Sequence, residues 1–234
     1  MIKLILQIVS FFLIFTLSVY AQANDKKFGI SLNVNYTSTS QLFLQPKAID
    51  PFIRNTHEIL DKITSYSFDI RYQLSESILI GIGSELIEKT FDNSINLGGI
   101  RAKMNDGYKM VPLEISAFYL IPFSTQHFKF FFGGGFGLYF GEHIRDLGDV
   151  AISNEIKKIG YGIHVAIGLD YVIYDFISVR GQMRFRDPEF EMTSKYSSET
   201  VNYNNESYTL PSQTFSSKVN IDGITFTLGV VLNF

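Results

Sequence analysis

The sequence predicts an all-β fold, an eight-stranded antiparallel up-and-down transmembrane β-barrel with short periplasmic turns and long extracellular loops. Three observations predict this fold. Apolar and polar residues alternate along eight stretches, long and short connections alternate between those stretches, and the six prolines avoid their centres. An even number of strands is typical of single-chain bacterial barrels.

The alternation of side chains defines the strands. In the first stretch, from Phe28 to Tyr36, every second residue is bulky and apolar, and the residues between are small or polar. A period of two is that of a β-strand with two unlike faces. The last stretch repeats the pattern from Ile224 to Phe234. The other predicted strands cover about residues 66–74, 78–89, 108–121, 128–141, 159–173 and 176–186.

The apolar face is predicted to point outward. A soluble barrel of the lipocalin kind also alternates, but it turns its apolar face inward. Eight strands enclose an interior just wide enough for side chains or one small ligand. One face of the fifth stretch carries Phe128, Phe130, Phe132, Phe136, Leu138 and Phe140, and the other carries Gly133, Gly135, Gly137 and Gly141. So many aromatic rings do not fit inside, and we expect this face to contact lipid.

The predicted connections alternate in length without exception. Long loops cover residues 37–64, 90–107, 142–158 and 187–220, and short turns cover residues 75–77, 123–127 and 174–175. Because outer-membrane barrels have short periplasmic turns and long external loops, both chain ends are predicted in the periplasm. Prolines cannot donate to a strand ladder, and Pro46, Pro51, Pro188 and Pro211 fall in long loops. Pro112 falls near the start of the fourth stretch and Pro122 just beyond its end.

Two of the long loops have distinctive sequences. In residues 37–64, Asp50 and Pro51 predict the N-cap and first position of a short amphipathic helix with Ile59, Leu60 and Ile63 on its apolar face. That face would cap the barrel mouth or meet a partner. Residues 187–220 are rich in Ser, Thr, Asn and Tyr. This composition suits adaptable polar contact and equally suits a solvated hairpin beyond the membrane.

The N-terminus predicts export. Lys3 precedes an apolar run from Leu4 to Tyr20, and residues 21–23, Ala-Gln-Ala, fit a cleavage site. We therefore expect a signal peptide over residues 1–23, a barrel domain over residues 24–234 and a location in the bacterial outer membrane. An uncleaved membrane anchor is the alternative.

Composition limits the chemistry of the chain. With 0 Cys, the chain has no disulfide and no thiol-based metal or redox site. The net charge of −3 provides no basic field for a nucleic-acid partner. No long apolar segment after the N-terminal run could form a transmembrane helix.

A resemblance to a known family points to the same fold. Residues Met110–Glu114, then Phe118-Tyr119, a short turn and Phe130–Leu138 resemble the central hairpin of the small outer-membrane β-barrel family common in Bacteroidetes-like bacteria. In the broad sense this family includes proteins like OmpX and the OmpA barrel. The resemblance in local sequence covers only that hairpin. It implies an outer-membrane location, and it implies that the terminal Phe234 is the signal read by the barrel assembly machinery.

Charged and polar residues at inward positions are the candidate functional residues. They are Asp69, Arg71, Gln73, Glu85, Lys89, Glu114, Lys129, His164, Asp170, Arg180, Gln182 and Arg184, with Arg186 beside them. Charges in a narrow lumen are costly unless paired, so we expect a polar network that plugs the barrel. The pairs expected across hairpins are Asp69 or Arg71 with Glu85 or Lys89, Glu114 with Lys129, and Asp170 with Arg180.

A narrow aqueous channel is the alternative for the lumen. Inward glycines, including Gly81, Gly133 and Gly168, leave several strands thinly lined. The same glycines could instead make room for Phe118, Leu120, Phe131 and Tyr139. An eight-stranded barrel normally leaves no open channel.

We expect no catalysis, cofactor or metal. His164 is the only histidine within a predicted strand, and the sequence places no serine beside it as a nucleophile would require. His57, His127 and His143 fall in predicted loops or turns without metal-ligand spacing. The expected role is therefore envelope structure, or surface interaction with an extracellular protein or ligand through the long loops. The expected partners are outer-membrane lipid and the assembly machinery; a gated, porin-like channel or a lipid-modifying enzyme are the alternatives.

Overall fold

The computed structural model describes residues 26–234, which form antiparallel β-sheet with one short helix. The all-β, antiparallel prediction is confirmed. The predicted signal peptide, residues 1–23, lies outside the described residues. The elements are β1 Phe28–Phe43, α1 Pro51–Asn55, β2 His57–Gln73, β3 Ile78–Leu97, β4 Ile100–Leu120, β5 Phe128–Leu147, β6 Val150–Lys157, β7 Gly160–Tyr174, β8 Ile177–Arg186, β9 Glu189–Tyr196, β10 Thr200–Tyr203, β11 Glu206–Thr209, β12 Phe215–Asn220 and β13 Ile224–Asn233.

The strand pairings close a ring. Each of β1 to β4 pairs with the next strand, β5 pairs with β7, β7 with β8, β8 with β13, and β13 with β1. The two ends of the described chain meet at this closure, where the backbones of Phe28 and Phe234 exchange two hydrogen bonds of 2.9 Å. A closed ring leaves no free sheet edge around its circumference.

The outer face of the ring is apolar and exposed. Every second side chain points outward, and Leu32, Ile115, Ile163 and Leu228 are each 63% to 74% exposed. A continuous apolar surface of this extent marks a lipid or protein contact. Among the described residues, no helix is long and apolar enough to cross a membrane.

The strands continue beyond one end of the ring. We call this part of the molecule the extension, and it comprises residues 38–62, 87–110, 141–158 and 187–223. Here β5 pairs with β6, β6 with β9, β9 with β12, and β12 with the end of β1. The pairing of β2 with β3 ends at Tyr66 and Leu86. Much of what the sequence assigned to long loops is therefore paired strand.

Two predicted loops are tight hairpins. Residues 90–107 belong to β3 and β4, which are joined by Gly98 and Gly99 with φ of +55° and +97°. Residues 142–158 belong to the ends of β5 and to β6, and Gly148 in their turn has φ of +58°. Glycine adopts this left-handed backbone without steric cost, which makes short hairpin turns accessible.

The other two predicted loops are also largely strand. Residues 187–220 form β9 and β12 with the small β10–β11 hairpin between them, so the hairpin alternative describes this segment. In residues 37–64, Asp50 caps α1 and Pro51 is at its start, as predicted. The predicted length of this helix is wrong, because β2 begins at His57 and pairs with β1.

The inward faces of β1 and β2 reverse at Ser38 and Lys62. Below this point, β1 turns polar residues such as Asn35 and Thr37 inward; above it, Leu42 is buried. Ser38 and Lys62 are unpaired, the register on either side of them is the same, and Lys62 has φ of +53°. This local change of backbone conformation reverses which positions face inward. The interior consequently changes from polar in the ring to apolar in the extension.

Pro112 lies inside β4, and its placement near the start of a strand was wrong. The β3–β4 register runs to Ser84–Leu113 and resumes at Ile87–Met110. Proline lacks the N–H that this ladder needs. The strand tolerates Pro112 because its other neighbour, Tyr139 of β5, stays in register.

Candidate functional site

The lumen of the ring holds the charged residues in two clusters. The first, the Asp69 cluster, comprises Asp69, Arg71, Asp170, Arg180 and Gln182. The second, the Glu85 cluster, comprises Glu85, Glu114, Arg184 and Arg186. Each contains two carboxylates and two guanidinium groups, so the formal charges of each cluster cancel.

In the Asp69 cluster, Arg180 bridges two carboxylates. It bonds Asp170 through two nitrogens at 2.7 and 2.8 Å, and Asp69 at 2.9 Å. Arg71 donates to Asp69 at 3.0 Å and to the side-chain amide oxygen of Gln182 at 2.7 Å. Asp170 and Arg180 are a pair that the sequence predicted across the β7–β8 hairpin. The predicted pairing of Asp69 or Arg71 with Glu85 or Lys89 is wrong, since Asp69 lies opposite Gly83 in the register.

In the Glu85 cluster, Arg184 joins two strands across the lumen. Its two terminal nitrogens lie 2.5 Å from Glu85 and 2.6 Å from Glu114. Arg186 adds contacts of 2.8 Å to Glu85 and 3.5 Å to Glu114. The Tyr139 hydroxyl donates to Glu114 at 3.0 Å. Glu114 lies opposite Gly137 on β5, so its predicted pairing with Lys129 is wrong.

Four predicted lumen residues stay outside these clusters: Gln73, Lys89, Lys129 and His164. Lys89 and Lys129 form no ion pair within 4.0 Å among residues 26–234. Gln73 lies near the β2–β3 turn, where its amide is 3.5 Å from the carbonyl oxygen of Glu76. The alternation along each strand correctly predicted that these side chains point inward, but it did not predict which of them would form ion pairs.

His164 has a serine beside it that the sequence did not show. Its Nε2 lies 2.9 Å from the hydroxyl of Ser116 on β4, which is separated from β7 by β5. His164 is buried, and its Nδ1 has no hydrogen-bond partner in the described structure. A histidine that serves as a general base is normally oriented by an acidic partner on the other nitrogen, and none bonds it here. The geometry is that of a buried polar pair.

Aromatic rings fill the space left by the inward glycines. A Cβ on Gly168 would lie 2.3 Å from the Phe131 ring, and one on Gly137 would lie 2.9 Å from the Tyr139 ring. The Arg71 guanidinium stacks over Phe118 at 4.0 Å and over Phe131 at 4.6 Å. The remaining cavity between the two clusters has a volume of about 40 Å³. That space admits a few water molecules, each of which needs about 10–15 Å³ by this measure.

The extension closes the lumen above the Glu85 cluster. Its interior is a cluster of fully buried apolar side chains that includes Leu42, Ile87, Tyr108, Phe190 and Val219. These come from five strands, β1, β3, β4, β9 and β12. No polar path crosses such a core without a rearrangement of side chains.

The sequence missed a buried polar centre within the extension. His143 Nε2 lies 2.7 Å from Asp106, and the Ser217 hydroxyl lies 3.1 Å from His143 Nδ1. Arg145 bonds the other oxygen of Asp106 at 2.7 Å, and Asn154 bonds the His143 backbone. His143 was assigned to a loop, but it lies in β5; His57 likewise begins β2. No sequence signal marks it, because residues 141–147 do not alternate apolar and polar side chains.

Burial sets the protonation of this centre. It lowers the pKa of His143 below its ordinary value, although the hydrogen bond to Asp106 opposes that change. Burial alone would raise the pKa of Asp106, but the His143 hydrogen bond and the Arg145 charge outweigh it and hold the pKa below its ordinary value. His143 is therefore neutral and Asp106 ionised near neutral pH. Ser217 is fully buried, so this serine, histidine and aspartate have no access to a substrate.

Comparison with solved structures identifies the fold. Outer membrane protein OprG from Pseudomonas aeruginosa matches with a TM-score of 0.64 and 14% identity, over 89% of this chain and 96% of that one. The chain has the fold of a small outer-membrane β-barrel protein. Neisserial surface protein A (NspA) matches with a TM-score of 0.49 and 13% identity, over 88% of this chain and 97% of that one. No protein-family model matches the sequence, and no curated protein matches it significantly.

Proposed function

We propose that this chain is a non-enzymatic outer-membrane barrel protein with a side-chain-filled lumen. Its role is envelope structure, or surface interaction through the extension. The observation that carries the proposal is the apolar outer belt of a closed ring, together with the two lumen clusters in which carboxylates and guanidinium groups are paired. Such a belt is suited to hydrocarbon, and a lumen of neutralised charges is suited to remain closed.

In this proposal eight strands, β1 to β5, β7, β8 and β13, cross the outer membrane. The short turns lie in the periplasm and the extension lies outside, where it meets an extracellular protein or surface ligand. Residues 1–23 are a signal peptide, and Phe234 is the signal for the assembly machinery. The subtype that the central hairpin resembles, common in Bacteroidetes-like bacteria, is part of the same proposal.

The absence of catalysis is proposed from the accessibility of the candidate groups. Ser217 and His143 are buried, and Ser116 and His164 line only the lumen cavity of about 40 Å³, which is too small for a lipid substrate. A nucleophile needs space beside it for the reacting atom of a substrate. The test is the mass of lipid A from cells that express the protein, compared with cells that lack it. We expect the two masses to be the same.

Location and folding can be tested together. The full-length chain is expressed in a Gram-negative host whose membranes are fractionated, and the mature chain is refolded in detergent and run on a gel with and without boiling. We expect the protein in the outer-membrane fraction and a folded band that migrates apart from the boiled one. A soluble protein with one band would overturn the proposal.

A narrow, gated channel is a second candidate, and a specific observation favours it. Buried guanidinium nitrogens of Arg71, Arg184 and Arg186 have no protein partner in the described structure. Groups of this kind normally bond water, which suggests a hydrated thread through the lumen. Steady unitary conductance in planar bilayers would support the channel, and its absence across a range of voltages would support the plugged barrel.

A further inference from the structure

A cleft in the outer wall opens where β5 parts from β7. The β5–β7 pairing ends at Tyr139 and Gly160, and β5 next pairs with β6 at Asp146. The opening between them is a cavity of about 390 Å³. Small-molecule sites commonly occupy about 300–1,000 Å³. Its walls carry three apolar side chains, Val111, Phe140 and Ile159, three basic ones, Lys109, Lys157 and Lys158, and one carboxylate, Glu142.

The cleft lies across the upper boundary of the apolar belt. On β4, outward residues are apolar from Tyr119 to Val111, and the next outward residue is Lys109. The segment leading into β7 likewise changes from apolar to basic between Ile159 and Lys158. In a membrane barrel this height is where hydrocarbon gives way to lipid headgroups. The apolar half of the cleft therefore adjoins acyl chains, and the basic half adjoins headgroups.

Two of the three lysines are in exposed ion pairs, and the third has none. Lys157 bonds Glu142 at 2.5 Å and Lys158 bonds Glu191 at 2.7 Å, with the lysine side chains 46% and 60% exposed. Ion pairs this exposed contribute little to stability and exchange readily with solvent or ligand. Lys109 forms no ion pair within 4.0 Å in the described part of the chain. Three lysines against two glutamates leave the cleft with a net positive charge.

We propose that this cleft binds one phosphorylated lipid of the outer leaflet. A phosphate of the headgroup contacts the three lysines, and an acyl chain lies along the three apolar side chains. The inference rests on the proposed outer-membrane location. A phosphate offers several charge-assisted acceptors and can bond more than one lysine at once. A soluble phosphate would leave the apolar half of the cleft uncovered, so the occupant is a lipid.

The test compares two triple variants of equal charge change. The first, Lys109→Gln with Lys157→Gln and Lys158→Gln, removes the basic wall of the cleft. The matched control, Lys26→Gln with Lys27→Gln and Lys103→Gln, removes three exposed lysines elsewhere. Each protein is refolded in a zwitterionic detergent, and its binding of diphosphoryl lipid A and of dephosphorylated lipid A is titrated by native mass spectrometry.

We expect the cleft variant to bind diphosphoryl lipid A at least about tenfold more weakly, the effect of losing one or more hydrogen bonds to a charged group. The control should change by less than about twofold, and the dephosphorylated lipid should not distinguish the proteins. Equal loss in both variants, or equal binding of the two lipids by the original protein, would overturn the site. Inorganic phosphate that displaced the lipid at a concentration equal to that of the lipid would show that the lipid moiety adds nothing, which would also overturn it.

Failure of the site and failure of the proposed function give different results. A protein that shows no heat-dependent gel shift and no outer-membrane fraction contradicts the proposed function itself. A protein that passes both tests but does not select the phosphorylated lipid contradicts the cleft alone. The gel shift of each triple variant also shows whether it folds.

Discussion

Arg184 shows at the scale of one residue how the lumen is held closed. It comes from β8 and contacts carboxylates on β3 and β4, so one guanidinium ties strands that are not neighbours in the ring. A buried ion pair of this kind adds little stability compared with apolar side chains in place of both partners. Removing only one partner, however, leaves the charge of the other buried and uncompensated. The two glutamates would then share Arg186 alone.

Arg184→Met should accordingly lower the free energy of unfolding by about 3–5 kcal/mol. The control Lys158→Met removes an exposed pair with Glu191 and should cost no more than about 1 kcal/mol. The measurement is guanidinium unfolding in detergent micelles, followed by the folded band on unboiled gels. Equal, small effects of both substitutions would mean that the lumen is well hydrated and the pairs in it are weak.

At the scale of elements, the packing of β5 against β7 depends on a missing side chain. Gly168 on β7 faces the lumen, and the Phe131 ring of β5 occupies the space that a Cβ would need, at 2.3 Å. Gly181 on the adjacent β8 faces outward with no atom within 4 Å of its Cβ position. The two glycines are therefore a matched pair, one in contact with a ring and one in open surroundings.

Gly168→Ala should destabilise the barrel by about 1–3 kcal/mol, because the ring must leave its preferred position. Gly181→Ala should be neutral or stabilising by up to about 1 kcal/mol, since alanine costs less conformational entropy on folding. Thermal midpoints of the heat-modifiable shift report both effects. If Phe131→Leu in the Gly168→Ala background does not restore part of the midpoint, the ring contact is not the cause.

At the scale of the whole molecule, the ring and the extension are stabilised differently. The ring surrounds two clusters of paired charges and carries its apolar side chains on its outer face, whereas the extension is built around an apolar core and one polar centre. His143 links β4, β5, β6 and β12 through Asp106, Asn154 and Ser217. The extension should therefore respond to pH through this histidine.

Acidification should loosen the extension. The unfolded chain protonates this histidine near its ordinary pKa of 6.5, and the folded pKa is lower. Below about pH 6.5 the unfolded state binds more protons, so stability falls as pH falls. The lowered pKa of Asp106 has its effect below its ordinary 3.8 and adds nothing between pH 7.5 and 5. Hydrogen exchange of β12 amides, corrected for intrinsic rates, should be faster at pH 5 than at pH 7.5, and His143→Gln should abolish that difference. An unchanged pH response in the variant would exclude His143 as its source.

The sequence by itself determined the strands of the ring and the direction of their faces. Alternation over residues such as Phe28–Tyr36 is a local property with a fixed geometric meaning, because successive side chains of a strand point to opposite sides. The same rule placed Asp69, Glu114 and Arg184 inside. Pro112 lies within a strand although it cannot donate to a ladder, and it is tolerated because β4 stays in register with β5 at this position.

Only the tertiary structure decided which charges meet and where the strands end. Glu114 bonds Arg184 from across the lumen, and no local pattern encodes a distance across a ring. The strands of the extension carry mixed patterns, since the left-handed backbone at Lys62 accompanies a reversal of the faces and the apolar side turns inward. The polar centre at His143 depends on pairings between β5, β6, β9 and β12, which join segments far apart in the chain. Alternation reports the two faces of a strand, but contact across a closed barrel depends on register and curvature, which are set by all of its strands together.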